Sequence, residues 1–358
     1  MSATETLEHR KEKAKSVKLV VFDLDNTLWD GTLLEDGDVR LKPSILPLFE
    51  ELDRRGVLIS VASRNDADLA LAKLEAFGLV DYVLHPQIGW GAKSQAVATI
   101  VAALNLGFDT VAFVDDEPFE RGEVHHALPE VRVIDGRAVE EIADRPDFMP
   151  AVITGESRLR RQMYRAEIRR GEVEAQSSEP TQAFLRSLDM RFTILEAREE
   201  DLLRAEELTL RTNQLNTTGR TYDLEALDAM RLSPDHLVLV ARLEDRYGPY
   251  GTIGLAVVDI DERVWTIRLL LMSCRVISRG VGSIMMNYIR NRARDAGVGL
   301  EADFVSNGRN RMMYATYKFS GFSEIARDGA CVRLSCDLSV PAEYPETVQL
   351  SLPPDRPR

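Results

Sequence analysis

The chain has 358 residues, 44% of them hydrophobic, and a formal net charge of −13. That length suits two domains at ~100–200 residues each, and the acidic balance argues against a general nucleic-acid binder, which needs a basic surface. No apolar run reaches the ~20 residues of a membrane span. Met1 to Ser16 lacks the apolar segment of a signal peptide, and the cysteines Cys274, Cys331 and Cys336 form no disulfide framework, so the expected location is the cytoplasm.

Lys18 to Phe22 is a β-branched and aromatic run that predicts a buried strand of a parallel sheet. It ends in Asp23-Leu24-Asp25-Asn26-Thr27-Leu28-Trp29, where open α/β sheets bind their ligands. Two carboxylates so close repel each other, and a hard divalent cation such as Mg²⁺ relieves that repulsion through oxygen ligands. Gly31 to Arg40 reads as a small turn-rich flap, and Pro43 to Arg55 as a helix with one apolar side. Val57 to Val61 is a second buried strand, followed by Ala62-Ser63-Arg64-Asn65-Asp66. Ser63 suits the N-cap of the next helix, with Asp66 completing a capping box, and a helix N-terminus is also an anion site. A helix over Ala67 to Phe77, a short strand at Tyr82 to Leu84 and a helix from Trp90-Gly91-Ala92-Lys93-Ser94 to Ala103 follow. Thr110 to Val114 is a further buried strand, ending in Asp115-Asp116-Glu117-Pro118-Phe119-Glu120.

These four stations resemble, in order, the motifs of the haloacid dehalogenase (HAD) phosphatase superfamily. The resemblance implies an α/β fold, a HAD-like Rossmannoid parallel sheet. The short intervals between the motifs leave no room for more than a minimal cap. The resemblance makes Asp23 the nucleophile that accepts a phosphoryl group and Asp25 the general acid/base. Ser63 holds the phosphoryl group, with Thr27, Arg64 and Asn65 among the substrate contacts, and Lys93 steadies the nucleophile. Asp23, Asp25 and Asp116 hold Mg²⁺, with Asp115 behind them.

Residues 149–183 change character. Ser157 to Glu174 is charged with sparse apolar residues and predicts an exposed bridging helix, broken at Ser177-Ser178-Glu179-Pro180. Met190 to Leu195 predicts a strand and Ala197 to Leu210 a helix. The polar run Arg211 to Thr218 offers Asn213, Gln214 and Asn216 either to a polar ligand or to turns of the backbone. Strands at His236 to Leu243, Thr252 to Ile260 and Val264 to Met272, with a hairpin around Tyr247-Gly248-Pro249-Tyr250-Gly251, predict an antiparallel sheet with helices, an α+β pattern.

The last of these strands enters Ser273-Cys274-Arg275-Val276-Ile277-Ser278-Arg279-Gly280-Val281-Gly282, then a helix through Ala296. Strand, basic glycine-bearing loop and helix make a phosphate cradle. The loop resembles the pyrophosphate loop of the GNAT acyltransferases, with Ser278 in place of its first glycine. Asn310, Tyr314, Tyr317 and Gly321-Phe322 resemble the late GNAT segment. A GNAT needs no nucleophile at Cys274, and a thiol at the start of a cationic loop is held more as thiolate.

Together, DLDNTLW, FVDDEPFER, RTNQLNTTGR, YGPYGTIGL and SCRVISRGVG resemble the FkbH-like glyceryltransferase/phosphatase family of polyketide pathways. That resemblance implies an extension over 1–17, a HAD-like phosphatase domain over 18–148, a helical linker over 149–183, a GNAT-like domain over 184–338 and a disordered or draped tail over 339–358. It implies a substrate, 1,3-bisphosphoglycerate or a related phosphorylated three-carbon acid. It also implies transfer of the glyceryl unit through Cys274 to the phosphopantetheine thiol of an acyl carrier protein. Arg275, Arg279 and Gly280 would hold the arm's phosphate, Asn213, Gln214, Asn216 and Asn310 would contact substrate, and His236 would serve as a base for the incoming thiol. Three rival readings remain: a plain Mg²⁺-dependent phosphatase with an inert second domain, a direct acyl-CoA acyltransferase, and a carrier-binding module without turnover.

Overall fold

The computed structural model describes residues 16–176 and 181–353. The predicted extension up to residue 15, the break at 177–180 and the tail from 354 lie outside the described residues. The chain divides into two units, Met1–Arg165 and Ala166–Arg358, and the division falls inside a helix, Arg160–Gln176.

In the first unit, β1 (Leu19–Phe22) is buried along its whole length, as an all-apolar LVVF sequence requires. A ribbon of β2 (Trp29–Asp30) and β3 (Arg40–Leu41) flanks a one-turn α1 (Leu33–Asp36) and forms the predicted flap. Next come α2 (Ile45–Arg54), β4 (Leu58–Ser63), α3 (Ala67–Ala76), β5 (Gln87–Ile88), α4 (Lys93–Ala103), β6 (Val111–Asp115), α5 (Pro118–Ala127) and β7 (Arg132–Asp135). The five-stranded sheet has the order β5-β4-β1-β6-β7, and every pair in it is parallel. Central β1 lies between β4 and β6, so the carboxyl ends of all three converge. Two expectations change here. Tyr82–Leu84 makes only a single bridge, Val83 to Ile59, and the edge strand is β5. Strand β4 runs on through Ser63, so the cap of α3 is Asp66, whose carboxylate accepts from the Leu69 amide at 3.0 Å.

After α6 (Gly155–Arg158) and α7 (Arg160–Gln176), the second unit contains α8 (Thr181–Ser187), β8 (Met190–Glu196), α9 (Glu199–Arg211), α10 (Leu224–Leu232), β9 (His236–Asp245), β10 (Gly248–Asp259), β11 (Val264–Met272), α11 (Ile284–Asp295), β12 (Gly299–Val305), α12 (Arg311–Phe319), β13 (Phe322–Asp328), β14 (Cys331–Cys336) and β15 (Val348–Ser351). Its eight-stranded sheet has the order β13-β14-β12-β11-β10-β9-β8-β15. The sheet is mixed rather than antiparallel. Helix α11 crosses over between β11 and β12 and makes that pair parallel, and β15 runs parallel to β8. The predicted tail therefore supplies a strand instead of draping on the surface. A register shift at Arg268 breaks the alternation of β11, so Ile267, Leu270 and Met272 enter one core with α11, and Leu269 and Leu271 another with α9.

The charged helix α7 is not simply solvated. Arg170 is 1% exposed, and its guanidinium grips the buried Asp245 through Nε at 2.7 Å and Nη2 at 2.8 Å. Sequence alone reads Arg170 as one more surface charge, because its partner lies 75 residues away.

Candidate active site

Two adjacent parallel strand ends build the centre of the first unit. Asp23 follows β1, Asp115 ends β6, and Asp116 comes next. One carboxylate oxygen from each lies within 4.8 Å of the others. Three oxygen donors at this spacing are the donor set of a hard cation such as Mg²⁺. Lys93, at the first position of α4, reaches between two of them, with Nζ 2.7 Å from Asp23 and 2.5 Å from Asp115.

The electrostatics follow from that crowding. Burial pushes the Asp23 carboxyl up to about 6, against the pull of Lys93, and the charge of Asp115 adds to the rise. Asp116 is likewise raised, first by burial and then by Asp115. Burial alone would lower Lys93, but the charges of Asp23 and Asp115 outweigh it and hold its pKa above the usual lysine value. One ammonium among three carboxylates leaves an excess of negative charge, which a divalent cation offsets.

The carboxylate of Asp25 is not part of the oxygen cluster, unlike the expectation that placed it with Asp23 and Asp116. Its Oδ1 accepts from Trp29 Nε1 at 2.7 Å and from the Leu33 amide at 3.0 Å, while Oδ2 accepts from Asn65 Nδ2 at 3.0 Å. The chain turns at Asn26 with φ 54°, a left-handed conformation that asparagine tolerates, and this separates the two carboxylates. The expected substrate contact of Asn65 is corrected. Nδ2 is given to Asp25 and Oδ1 to the Asp66 amide at 2.9 Å, so the side chain orients the acid/base candidate instead of facing a substrate.

Thr27 is fully buried, and its hydroxyl accepts from the Asp116 amide at 3.2 Å, fixing the start of the acidic turn. Gly136 lets it do so, because a Cβ there would stand 2.7 Å from Thr27 Oγ1 and 2.9 Å from the Asp116 nitrogen. Ser63 is buried at the end of β4, beside the end of β1. Arg64 is half-exposed and pairs with Glu120 at 2.8 Å while Nε donates to the Gly91 carbonyl, tying the loop before Lys93 to α5. Glu120 and Trp29 are the site residues to which sequence reasoning gave no definite part. Trp29 had a signal, four residues after Asp25 inside the quoted motif, whereas the Arg64–Glu120 pair joins separate motifs and had none.

In the second unit Cys274 follows β11, half-buried, with Sγ 3.8 Å from Gln214 Oε1. The segment carrying Gln214 lies where β11 and β12 part. Thr217 donates its amide to Leu270, and its carbonyl accepts from Val305. Asn216 and Asn310 are structural there. Asn216 Oδ1 accepts from the Thr218 and Gly219 amides, and Asn310 Nδ2 donates to the carbonyls of Asn216 and Val305. Both are fully buried, which corrects their predicted ligand role. The Asn213 carbonyl accepts from Asn307 Nδ2.

The basic loop departs from expectation too. Residues Cys274–Arg279 form a turn of 3-10 helix, and Gly280 follows at φ 69°. Arg279 is 1% exposed and ion-paired to Glu167 at 2.5 Å and Glu174 at 3.3 Å, so its charge is neutralised within the unit instead of serving an anion. Arg275 stays half-buried, with Nε 3.3 Å from Ser273 Oγ. His236 does not reach Cys274. Register pairs His236 with Asp259, and Asp259 with Thr266, six residues before Met272 on β11. At ~3.3 Å per residue that is roughly 20 Å. Its Nε2 instead faces Asp259 at 3.7 Å.

No protein-family model matches the chain. The chain is similar to magnesium-dependent phosphatase 1 from Homo sapiens, 32% identical over 123 residues that make up 29% of this chain and 70% of that protein. Among solved structures it is similar to the N-terminal part of the protein BF1531 from Bacteroides fragilis, containing a phosphatase domain complexed with Mg. The identity there is 31% and the TM-score 0.32, over 33% of this chain and 36% of that one. It is also similar to the ribosomal-protein-S18-alanine N-acetyltransferase of Escherichia coli, at 15% identity and a TM-score of 0.33, over 42% of this chain and 97% of that one.

Proposed function

The chain belongs, through its first unit, to the family of the magnesium-dependent phosphatases, and from that premise we propose a bifunctional enzyme that loads a glyceryl unit onto a carrier-protein thiol and removes its phosphate. The observation that carries the hydrolytic half is the Asp23, Asp115 and Asp116 cluster bridged by Lys93. The bound Mg²⁺ would neutralise charge on the phosphoryl oxygens. Asp23 Oδ attacks phosphorus in line, and the P–O bond to the substrate alcohol breaks. Asp25, held by Trp29, Leu33 and Asn65, gives its proton to that leaving oxygen. It then takes a proton from the water that hydrolyses the aspartyl phosphate, returning Asp23 and inorganic phosphate.

The transfer half rests on Cys274. Its thiolate attacks the acyl carbon of an acyl phosphate such as 1,3-bisphosphoglycerate, the C–O bond to the acyl phosphate breaks with release of inorganic phosphate, and a phosphoglyceryl thioester forms. The carrier thiolate then attacks that carbon and releases Cys274. Gln214, with its amide oxygen on the thiol, is in place to orient it. The phosphate ester left on the glyceryl unit is not activated, which is why the first unit is needed.

The burial of Arg279 against Glu167 and Glu174 favours a second reading, in which the chain is a phosphatase of a small metabolite and the second unit transfers nothing. Intact-protein mass spectrometry after mixing with 1,3-bisphosphoglycerate, Mg²⁺ and a pathway carrier protein separates the two. A glyceryl adduct that moves to the carrier, and is absent from Cys274→Ala, is the result expected of the loading enzyme. Phosphate release by both proteins with no adduct on either leaves the plain phosphatase.

A further inference from the structure

The second unit has a cavity of about 310 Å³ on the sheet face where β11, β12, β13 and β14 meet. Arg220, Arg268, Arg327 and Arg333 line it together with Asp303 and Asp328. Three of the four guanidiniums converge on Asp303: Arg268 at 3.0 Å, Arg333 at 2.8 Å and Arg220 at 3.5 Å. Arg268 and Arg333 also pair outward, with Asp259 at 2.5 Å and Glu301 at 3.0 Å, and Arg327 pairs with Glu324 at 2.7 Å.

Those pairs do not use up the donors. A guanidinium presents five N–H groups. Among the described residues, Arg268 engages Nε and Nη1, and Arg333 engages Nε and Nη1, which leaves Nη2 of each uncommitted. Arg220 has the Asp303 contact alone, at 3.5 Å. Planar donors converging from three directions on a concave site match the oxygens of a phosphate group, which guanidinium forks hold by paired hydrogen bonds.

We propose that this cavity is a binding site for a phosphate ester. Two sources carry that chemistry, a small phosphorylated acid and the phosphate of a pantetheine-type arm; this part of the proposal rests on the carrier-loading reading, whereas the anion site does not. Arg268 precedes Cys274 by six residues along β11, roughly 20 Å of strand at ~3.3 Å per residue. A three-carbon acid seated among the arginines lies clear of the thiol, while a long arm anchored here has the length to run toward it.

Cys331 lines the same cavity and is exposed, which provides a reporter. The experiment follows Cys331 alkylation by iodoacetamide, read by peptide mass spectrometry on the full chain in EDTA. The probes are 3-phosphoglycerate, 4′-phosphopantetheine and inorganic phosphate, each at millimolar concentration. We expect at least fivefold protection by one of the phosphate esters, and a loss of at least tenfold in the affinity of that probe in Arg220→Gln and Arg327→Gln. Both side chains are about half-exposed, so neither change threatens folding. Protection by 3-phosphoglycerate alone assigns the metabolite, and protection by phosphopantetheine alone assigns the arm. No protection by any probe, or protection unchanged in both variants, overturns the site. Phosphate release from an aryl phosphate with Mg²⁺ is measured alongside and is expected to be the same in the variants. Its absence in the wild type would count against the proposed phosphatase, not against this cavity.

Discussion

Replacing Lys93 by methionine tests the central electrostatic argument. The side chain is 6% exposed, and its ammonium stands 2.7 Å from Asp23 and 2.5 Å from Asp115. Methionine keeps much of the stem's volume and removes the charge, so Asp23 and Asp115 face each other unpaired in a buried site. Breaking a buried pair in this way costs about 3–5 kcal/mol. In a unit of this size that lowers the melting temperature by roughly 6–20 °C, at about 2–4 °C per kcal/mol. The same ammonium would balance charge on the transferring phosphoryl group, and loss of one such donor lowers kcat by about 10²–10³. The assay is scanning calorimetry of the full chain with and without Mg²⁺, together with kcat on an aryl phosphate. Mg²⁺ should stabilise the variant more than the wild type, because it supplies charge that the variant lacks. A variant with kcat within threefold of wild type and an unshifted transition would refute the account.

Gly136→Ala should raise the Mg²⁺ concentration needed for half-maximal activity by about tenfold, since its Cβ would press on Thr27 Oγ1 and the Asp116 amide, and moving a donor by even ~1 Å is costly at such a site; a Mg²⁺ titration of activity reads this. Arg170→Met leaves Asp245 buried without its guanidinium and should destabilise the second unit by about 3–5 kcal/mol in urea denaturation, with Arg170→Met combined with Asp245→Leu recovering most of the loss. Glu51 gives a pH signature. Two hydrogen bonds from Arg54, and with them one from Arg55, lower its carboxyl to about 2 from 4.5. A depressed carboxylate contributes stability that is present above the unfolded value and is lost as pH falls through the folded one. Glu51→Gln should therefore cost about 1–2 kcal/mol at pH 7, discounted for partial exposure, and clearly less at pH 3. An equal cost at both pH values would contradict the pairing.

The sequence by itself determined the first unit and its chemistry because the information there is local. An apolar strand followed within one or two residues by a carboxylate carries both its burial and its function in one short run. The parallel order of β1, β4 and β6 then brings two such runs, those of Asp23 and Asp115, to one edge beside the Ser63 end of β4. Lys93 was legible for the same reason, as the first residue of a helix that opens beside the sheet. The roles inside that site were less legible. Whether Asp25 joins Asp23 or turns away depends on Trp29, Leu33 and Asn65, and the last lies 40 residues on. In the second unit the sequence determined most strands but not their sense, since the parallel pairing of β11 with β12 and of β15 with β8 comes from crossovers that no period encodes. Charge was the least readable feature. Arg170, Arg279 and the arginines around Asp303 look alike as letters, and only tertiary structure decided which are buried against carboxylates and which keep donors for a ligand. An ion pair forms between residues far apart in the chain, and its strength depends on the water that folding removes.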